Sequence, residues 1–178
     1  MRSLAVALLL VSGVAHADPD TILRKGFTLR VGLGGGGAYF APEQASTSQE
    51  PGIAVDFLAG GFVRPNLAIV YHQVMVDSQP FENAFAPGVS AAATLAAQYW
   101  IGDRVNLLGG LGLGIMQHDA RNLIRSDVEE GLAIDLGVSL LPVVSSHHAL
   151  SLSVAVAPVV TDHLISSLYG VSMTWQYY

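Results

Sequence analysis

The chain has 178 residues, of which 51% are hydrophobic and 12% are charged, and its formal net charge at pH 7 is −6. This length suits one domain, and the charged fraction lies well below the roughly 25% of ordinary soluble domains. The acidic balance argues against nucleic acid and anionic surfaces as partners. The chain has no cysteine, which excludes a disulfide scaffold, a thiol catalyst, a cysteine-based metal site and a lipoprotein anchor.

The amino terminus has the pattern of a secretory signal peptide. Arg2 precedes an apolar run over residues 4–10, which continues to Val14 and ends in Ala15-His16-Ala17. A basic start, an apolar core of about 7–15 residues and a small-x-small site are typical of a cleaved signal, and the run is too short to span a bilayer of about 30 Å. We expect residues 1–17 to be removed and residues 18–25 to form a short periplasmic lead. A retained anchor helix is the alternative.

The rest of the chain alternates apolar with small or polar residues, which predicts strands with one apolar face. The first strand, for example, reads F-T-L-R-V-G-L-G from Phe27. The fourth is rich in alanine, which also suits a helix, but its alternation and its aromatic end favour a strand. The first seven predicted strands cover residues 26–40, 52–63, 67–75, 88–101, 105–116, 131–141 and 147–157.

The eighth predicted strand lies in the last stretch, residues 165–178. From Tyr169 onward its odd positions are apolar or aromatic, while its even positions are glycine, serine, threonine and glutamine. This pattern places an apolar stripe that ends in aromatic residues on one surface and small polar groups on the other.

The connections between the predicted strands alternate in length. Residues 41–51, 76–87 and 117–130 are long polar loops, whereas residues 64–66 and 102–104 are tight turns. Residues 142–146 and 158–164 form the last two connections. Long and short connections that alternate, with the amino terminus on the short-turn side, are the layout of an outer-membrane barrel. A closed barrel also pairs every backbone N–H and C=O inside the membrane.

The predicted fold class is therefore all-β, an eight-stranded antiparallel up-and-down transmembrane β-barrel over residues 26–178. In layout the chain resembles the small eight-stranded bacterial outer-membrane barrels, such as the OmpA transmembrane domain, OmpX and OmpW. The resemblance implies a monomer in the outer membrane that contacts outer-membrane lipid and is inserted by the outer-membrane assembly machinery. In that family the last residue is typically an outward aromatic; here the outward register falls on Tyr177, one residue before the end.

Four ionisable residues, Arg30, Asp56, His72 and Asp135, fall on inward positions of the predicted strands. A lone charge inside a narrow barrel is costly, so opposite charges are expected to pair there. We predict a structural lumen network in which Arg30 bridges Asp56 or Asp135. A gated ion path is the functional alternative. The outward aromatic residues predicted to lie at the membrane interface are Tyr71, Tyr99, Tyr169, Trp175 and Tyr177.

Three further motifs are weak signals of chemistry. Residues 32–37 match G-x-G-x-x-G, but a strand and a proline follow where a dinucleotide site needs a helix. Asp162 and His163 lie near Ser166 and Ser167, yet they lack the H-x-S spacing of some outer-membrane lipid A deacylases, which are also eight-stranded barrels. His147 and His148 are adjacent on a strand, so they point to opposite faces and make a poor metal site.

No catalytic residue, cofactor or metal is therefore predicted. The first functional hypothesis is a non-catalytic integral outer-membrane barrel with a structural or surface-interaction role through its extracellular loops, where a further partner would bind. Transport is the second, as a narrow pore or a hydrophobic-ligand conduit. A lipid A-modifying hydrolase is the third, and a soluble periplasmic barrel or sandwich with its apolar faces inward is the fourth. The scarcity of charge on the polar faces argues against the fourth.

Overall fold

A computed structural model of the chain describes residues 24–42, 47–78, 88–117, 128–161 and 164–178, without the side chains of Pro42 and Leu164. The predicted signal peptide, most of the predicted lead, and the pair Asp162 and His163 lie outside the described residues. Within these ranges no helix is long and apolar enough to cross a membrane.

The described residues form eight antiparallel strands that close into one barrel. Each strand pairs with its neighbours in the sequence, and the last pairs with the first. This arrangement confirms the predicted all-β, eight-stranded barrel. The strands are β1 (Phe27–Pro42), β2 (Ser48–Arg64), β3 (Leu67–Asp77), β4 (Val89–Ile101), β5 (Val105–Gln117), β6 (Val128–Val144), β7 (His148–Val160) and β8 (Leu164–Tyr177).

Side chains alternate between the lumen and the outer surface in the predicted registers. On β4, Gln98 and Trp100 are buried, whereas Leu95 and Tyr99 are 69% and 47% exposed. The alanine-rich fourth segment is therefore a strand and not a helix, as predicted. Large apolar side chains are exposed on all eight strands, so the barrel is apolar outside and mixed inside.

The two ends of the barrel differ. One end carries the start of β1, the end of β8 and three short connections at residues 65–66, 102–104 and 145–147; we call it the short-turn end. Gly102 has φ +62°, a left-handed conformation that glycine adopts without steric cost, and it allows the tight β4–β5 turn. We call the opposite end, where β1 connects to β2 and β3 to β4, the long-loop end.

Four prolines that were assigned to connections lie in strands. Pro42 ends β1 and pairs with Leu164 of β8, and the other three lie in β2, β6 and β7. Pro51 pairs with Gly37 of β1, but β3 begins to pair with β2 only at Ile53, so Pro51 has an open edge on its other side. Pro142 lies in β6 at a register shift against β7, and Pro158 of β7 pairs with Ser167 of β8. Proline is tolerated at edges and irregularities because no ladder donor is needed there.

Inward glycines on β1 allow neighbouring strands to approach. A Cβ on Gly34 would collide with the backbone carbonyl of Val171, whereas a Cβ on outward Gly35 would meet open space. The inward glycines of residues 32–37 therefore serve close packing in a continuous strand, and no helix follows them. The residues of the G-x-G-x-x-G match therefore lie inside strand β1.

Candidate functional site

Arg30 and Asp56 form an ion pair in the middle of the lumen. Arg30 Nε donates to Asp56 Oδ1 at 2.9 Å, and Arg30 Nη2 donates to Asp56 Oδ2 at 3.0 Å. Two parallel hydrogen bonds of this kind fix both groups more firmly than a single contact. Arg30 is 2% exposed and Asp56 is 4% exposed, so water does not screen the pair.

His72 and Asp135 lie beside this pair. His72 Nδ1 is 2.5 Å from Asp135 Oδ2, and Thr94 Oγ1 donates to the same oxygen at 2.9 Å. His72 Nε2 lies 3.1 Å from Arg30 Nη2 and 3.4 Å from Asp56 Oδ2. The structure thus brings together all four ionisable residues that the alternation placed inward. We call Arg30, Asp56, His72 and Asp135 the lumen charge cluster.

Polar side chains continue from the lumen charge cluster toward the short-turn end. Arg30 Nη1 donates to Ser139 Oγ at 3.2 Å, and Ser139 Oγ lies 2.8 Å from Ser153 Oγ. Nearer the short-turn end, Gln176 Nε2 donates to Thr28 Oγ1 at 3.0 Å. These contacts satisfy buried polar groups, which is the condition for keeping them inside a protein.

Apolar side chains fill the lumen on the long-loop side of the charge cluster. They belong to one buried group whose large members are each at most 3% exposed, namely Phe40, Val76, Met116, Val159 and Leu168. A second buried apolar group, which includes Leu58, Val70 and Leu108, lies beside the charge cluster. An ion crossing the lumen would have to leave its hydration shell at the first group, which is costly.

A second set of charged and aromatic residues closes the short-turn end. The Arg24 guanidinium lies 3.8 Å from the centroid of the Trp100 ring and 5.1 Å from that of Tyr178. Its Nη2 donates to the backbone carbonyl of Asp103 at 3.0 Å, and its Nη1 lies 3.4 Å from Asp103 Oδ1. The Trp100 and Tyr178 rings meet edge to face, with centroids 5.5 Å apart. We call Arg24, Trp100, Asp103 and Tyr178 the end cap.

The end cap was missed by sequence reasoning because Arg24 lies in the lead, where no periodicity predicts a contact. The signal that could have found it is the register of β8. Tyr177 points outward and is 38% exposed, whereas Tyr178 points inward and is 4% exposed. Burial raises the pKa of the Tyr178 phenol above its ordinary value.

All five predicted interface aromatics lie on the outer surface. Tyr71, Tyr99, Trp175 and Tyr177 are each between 37% and 47% exposed. Tyr169 covers Gly37 and accepts a hydrogen bond from Gln49. Tyr71 differs from the others because it lies inside β3, where it pairs with Leu95 and donates to Gln73 Oε1 at 3.1 Å. Their position relative to a membrane interface remains a prediction.

The weak motifs do not assemble into a reactive site in the described residues. Ser166 is buried and Ser167 faces outward on β8, so adjacent serines point to opposite sides of the wall. His147 contacts Ser146 at the short-turn end, whereas His148 stacks on Trp175. No group of three or more metal-ligating side chains occurs in the part of the chain described here. The lumen charge cluster has acid and base groups, but each of its residues is at most 4% exposed.

Solved structures share this architecture at low sequence identity. Ail, the attachment invasion locus protein of Yersinia pestis, has a TM-score of 0.61 and 12% identity, with 85% of this chain and 99% of that chain covered. Neisserial surface protein A has a TM-score of 0.55 and 12% identity, with coverage of 85% and 96%. The N-terminal β-barrel domain of Pseudomonas aeruginosa OprF has a TM-score of 0.50 and 10% identity, with coverage of 85% and 98%.

No protein-family model matches the chain, and no curated protein matches it. Identities of this size show the fold alone. The chain therefore has the fold of the small eight-stranded outer-membrane barrels, as the sequence resemblance predicted. The attachment role in the name of the Yersinia protein belongs to that protein.

Proposed function

We propose that this chain, which has the fold of the small eight-stranded outer-membrane barrels, is an integral protein of the bacterial outer membrane with no catalytic role. Its barrel is a closed scaffold, and its specificity lies in the connections at the long-loop end, which face the exterior of the cell. In this orientation the short-turn end faces the periplasm. A structural or surface-interaction role follows from this arrangement.

The observation that carries the proposal is the apolar outer surface. Leu33, Leu113 and Met173 are between 63% and 71% exposed, and large apolar side chains are exposed on every strand. In water such a continuous surface would drive aggregation, because soluble monomers expose only a few hundred Å² of contiguous apolar patch. In a bilayer the same surface is solvated by lipid, and the closed strand ladder leaves no unpaired edge.

The filled lumen supports a scaffold rather than a pore or a hydrophobic-ligand conduit. The buried apolar group around Phe40 and Met116 occupies the long-loop half of the lumen, and the end cap covers the short-turn end. Eight strands enclose an interior that side chains just fill. We therefore expect no stepwise ion conductance when the folded protein is inserted into a planar bilayer, and a steady open channel would contradict the scaffold proposal.

A charge on the outer wall tests the membrane location. We expect Leu113→Arg to prevent accumulation of the folded protein in the outer membrane, because arginine on the lipid face near the bilayer centre costs about 2–4 kcal/mol. Ser146→Arg, in an exposed short turn, is the matched control and should be tolerated. The measurement compares boiled and unboiled electrophoretic mobility in isolated outer membranes. Recovery of both variants as soluble periplasmic protein would show that the apolar surface does not face lipid.

A further inference from the structure

A shallow apolar groove runs along the outer surface of β7, β8 and β1. It has a volume of about 540 Å³ and is lined by Val31, Leu33, Leu150, Met173 and Trp175. Gly32 and Thr174, which pair across the β1–β8 ladder, complete its lining. The volume falls within the roughly 300–1,000 Å³ of protein ligand sites. The outer wall of a barrel is mostly convex, so a concave apolar site of this size can hold one acyl chain apart from bulk lipid.

An aromatic stack borders the short-turn end of the groove. The His148 ring stacks on Trp175 with centroids 5.4 Å apart and an interplanar angle of 25°, and it lies 5.4 Å from the Tyr177 ring. His148 and Leu150 share the outer face of β7, and Leu150 pairs with Trp175. The groove therefore passes from apolar side chains to a stacked imidazole whose ring nitrogens can form hydrogen bonds.

Charge outside the lumen is divided between the two ends of the barrel. At the short-turn end the one described acidic side chain, Asp103, pairs with Arg24, and three further basic residues lie there: Lys25, Arg64 and Arg104. The described long-loop end carries four acidic residues: Glu50, Asp77, Glu129 and Glu130. Lys25 is exposed and lies two residues before the start of β1, one wall of the groove. Although the chain as a whole is acidic, its short-turn end is therefore locally basic and favours an anionic group.

We propose that this groove binds one anionic phospholipid from the periplasmic leaflet, an inference that rests on the proposed membrane location. One acyl chain packs against Leu33 and Met173. The phosphate lies at the short-turn end, where His148 donates a hydrogen bond and Lys25 supplies a positive charge. An aromatic ring with a polar edge suits this boundary between hydrocarbon and headgroup.

Native mass spectrometry of the folded protein in neutral detergent tests this site. The probes are phosphatidylglycerol and phosphatidylcholine with identical acyl chains. We expect the wild type to retain one phosphatidylglycerol at least fivefold more than phosphatidylcholine. Leu33→Trp fills the groove and should lower phosphatidylglycerol retention at least fivefold. Leu113→Trp, at a leucine on β5 that is 71% exposed against 63% for Leu33, is the matched control and should change nothing.

Two more variants separate the headgroup from the chain. His148→Phe keeps the stacked ring but removes the hydrogen-bond donor to the phosphate that both lipids share, so it should lower retention of both lipids, whereas His147→Phe should not. Lys25→Gln removes the positive charge and should abolish the preference for phosphatidylglycerol. Met173→Trp repeats the groove-filling test if Leu33→Trp does not fold, and heat-modifiable mobility verifies folding of each protein. Equal retention by the Leu33→Trp and Leu113→Trp proteins, or equal retention of both lipids by the wild type, would overturn the site. Because the Leu113→Arg experiment reads membrane location separately, a folded outer-membrane barrel without lipid preference refutes the lipid site alone.

Discussion

Two arginines are buried in the part of the barrel that the structure describes, and each has an aspartate partner, yet they are held in different ways. Arg30 lies on β1 and makes two hydrogen bonds to Asp56, in surroundings that leave each residue at most 4% exposed. Arg24 lies in the lead, is stacked on aromatic rings, and pairs with Asp103, whose side chain is 22% exposed. In the lumen, the pairing of β1 with β2 places Arg30 beside the carboxylate of Asp56. At the end cap, the long side chain of Arg24 packs on aromatic rings at the short-turn end of the barrel, beside water.

This difference sets what happens when a partner is removed. Loss of Asp56 leaves a buried guanidinium that water cannot reach, and an unpaired buried charge is among the costliest defects in a protein. Loss of Arg24 exposes apolar rings and a carboxylate that water can solvate. Substitutions in the lumen charge cluster should therefore lower the free energy of unfolding much more than substitutions in the end cap.

The largest effect is expected from Asp56→Leu. It should lower the free energy of unfolding by about 3–5 kcal/mol, because Arg30 then remains buried beside an apolar side chain. Denaturant titration of the protein in lipid vesicles, followed by the mobility of unboiled samples, measures this loss. The double variant Arg30→Met with Asp56→Leu should recover most of it. If the double variant is as unstable as the single one, the unpaired charge is not the cause.

The next effect concerns the strand packing that encloses the lumen charge cluster. Gly34→Ala should cost about 1–3 kcal/mol, because its Cβ would collide with the Val171 carbonyl and force β1 and β8 apart. Gly35→Ala is the adjacent control, since its Cβ enters open space, and its effect should stay within about 0.5 kcal/mol. The same titration measures both. Equal losses would show that glycine flexibility, and not close packing, determines the effect.

The strand alternation explains why the lumen charge cluster could be predicted and the end cap could not. A period of two assigns four ionisable residues to the inner side of the wall: Arg30, Asp56, His72 and Asp135. The interior of an eight-stranded barrel is narrow, so inward side chains at similar heights lie close together. The predicted fold was confirmed, and the structure buries these four side chains. The partner of each residue depends on strand stagger, which the alternation does not specify.

Arg24 illustrates the limit of prediction from strand alternation. It lies outside the periodic segments, and its partners Trp100 and Asp103 are distant in the sequence. The four strand prolines that were assigned to connections show a related limit, since their place depends on which edge of a strand is paired. The outer groove depends on the relative sizes of side chains on three strands, which no single strand reveals.

A smaller effect is expected at the end cap itself. Arg24→Gln should lower the free energy of unfolding by about 1–2 kcal/mol, because it removes a stacked cation and a partly exposed ion pair. Arg24→Lys keeps the charge but loses the planar stack, and it should recover only part of the loss. Denaturant titration distinguishes the three proteins. A loss as large as that of Asp56→Leu would remove the contrast between the two arginines.

The smallest effect is expected from Tyr178→Phe. The Tyr178 hydroxyl makes a long hydrogen bond of 3.5 Å to the Ser145 carbonyl, whereas its ring packs against Trp100 and Arg24. If the end cap works through ring contacts, removal of the hydroxyl should cost at most about 1 kcal/mol. Tyr178→Ala removes the ring as well and should cost more than Arg24→Gln, since two stacking partners lose their surface at once. Similar losses for Tyr178→Phe and Tyr178→Ala would mean that the hydroxyl, and not the aromatic packing, holds the end cap closed.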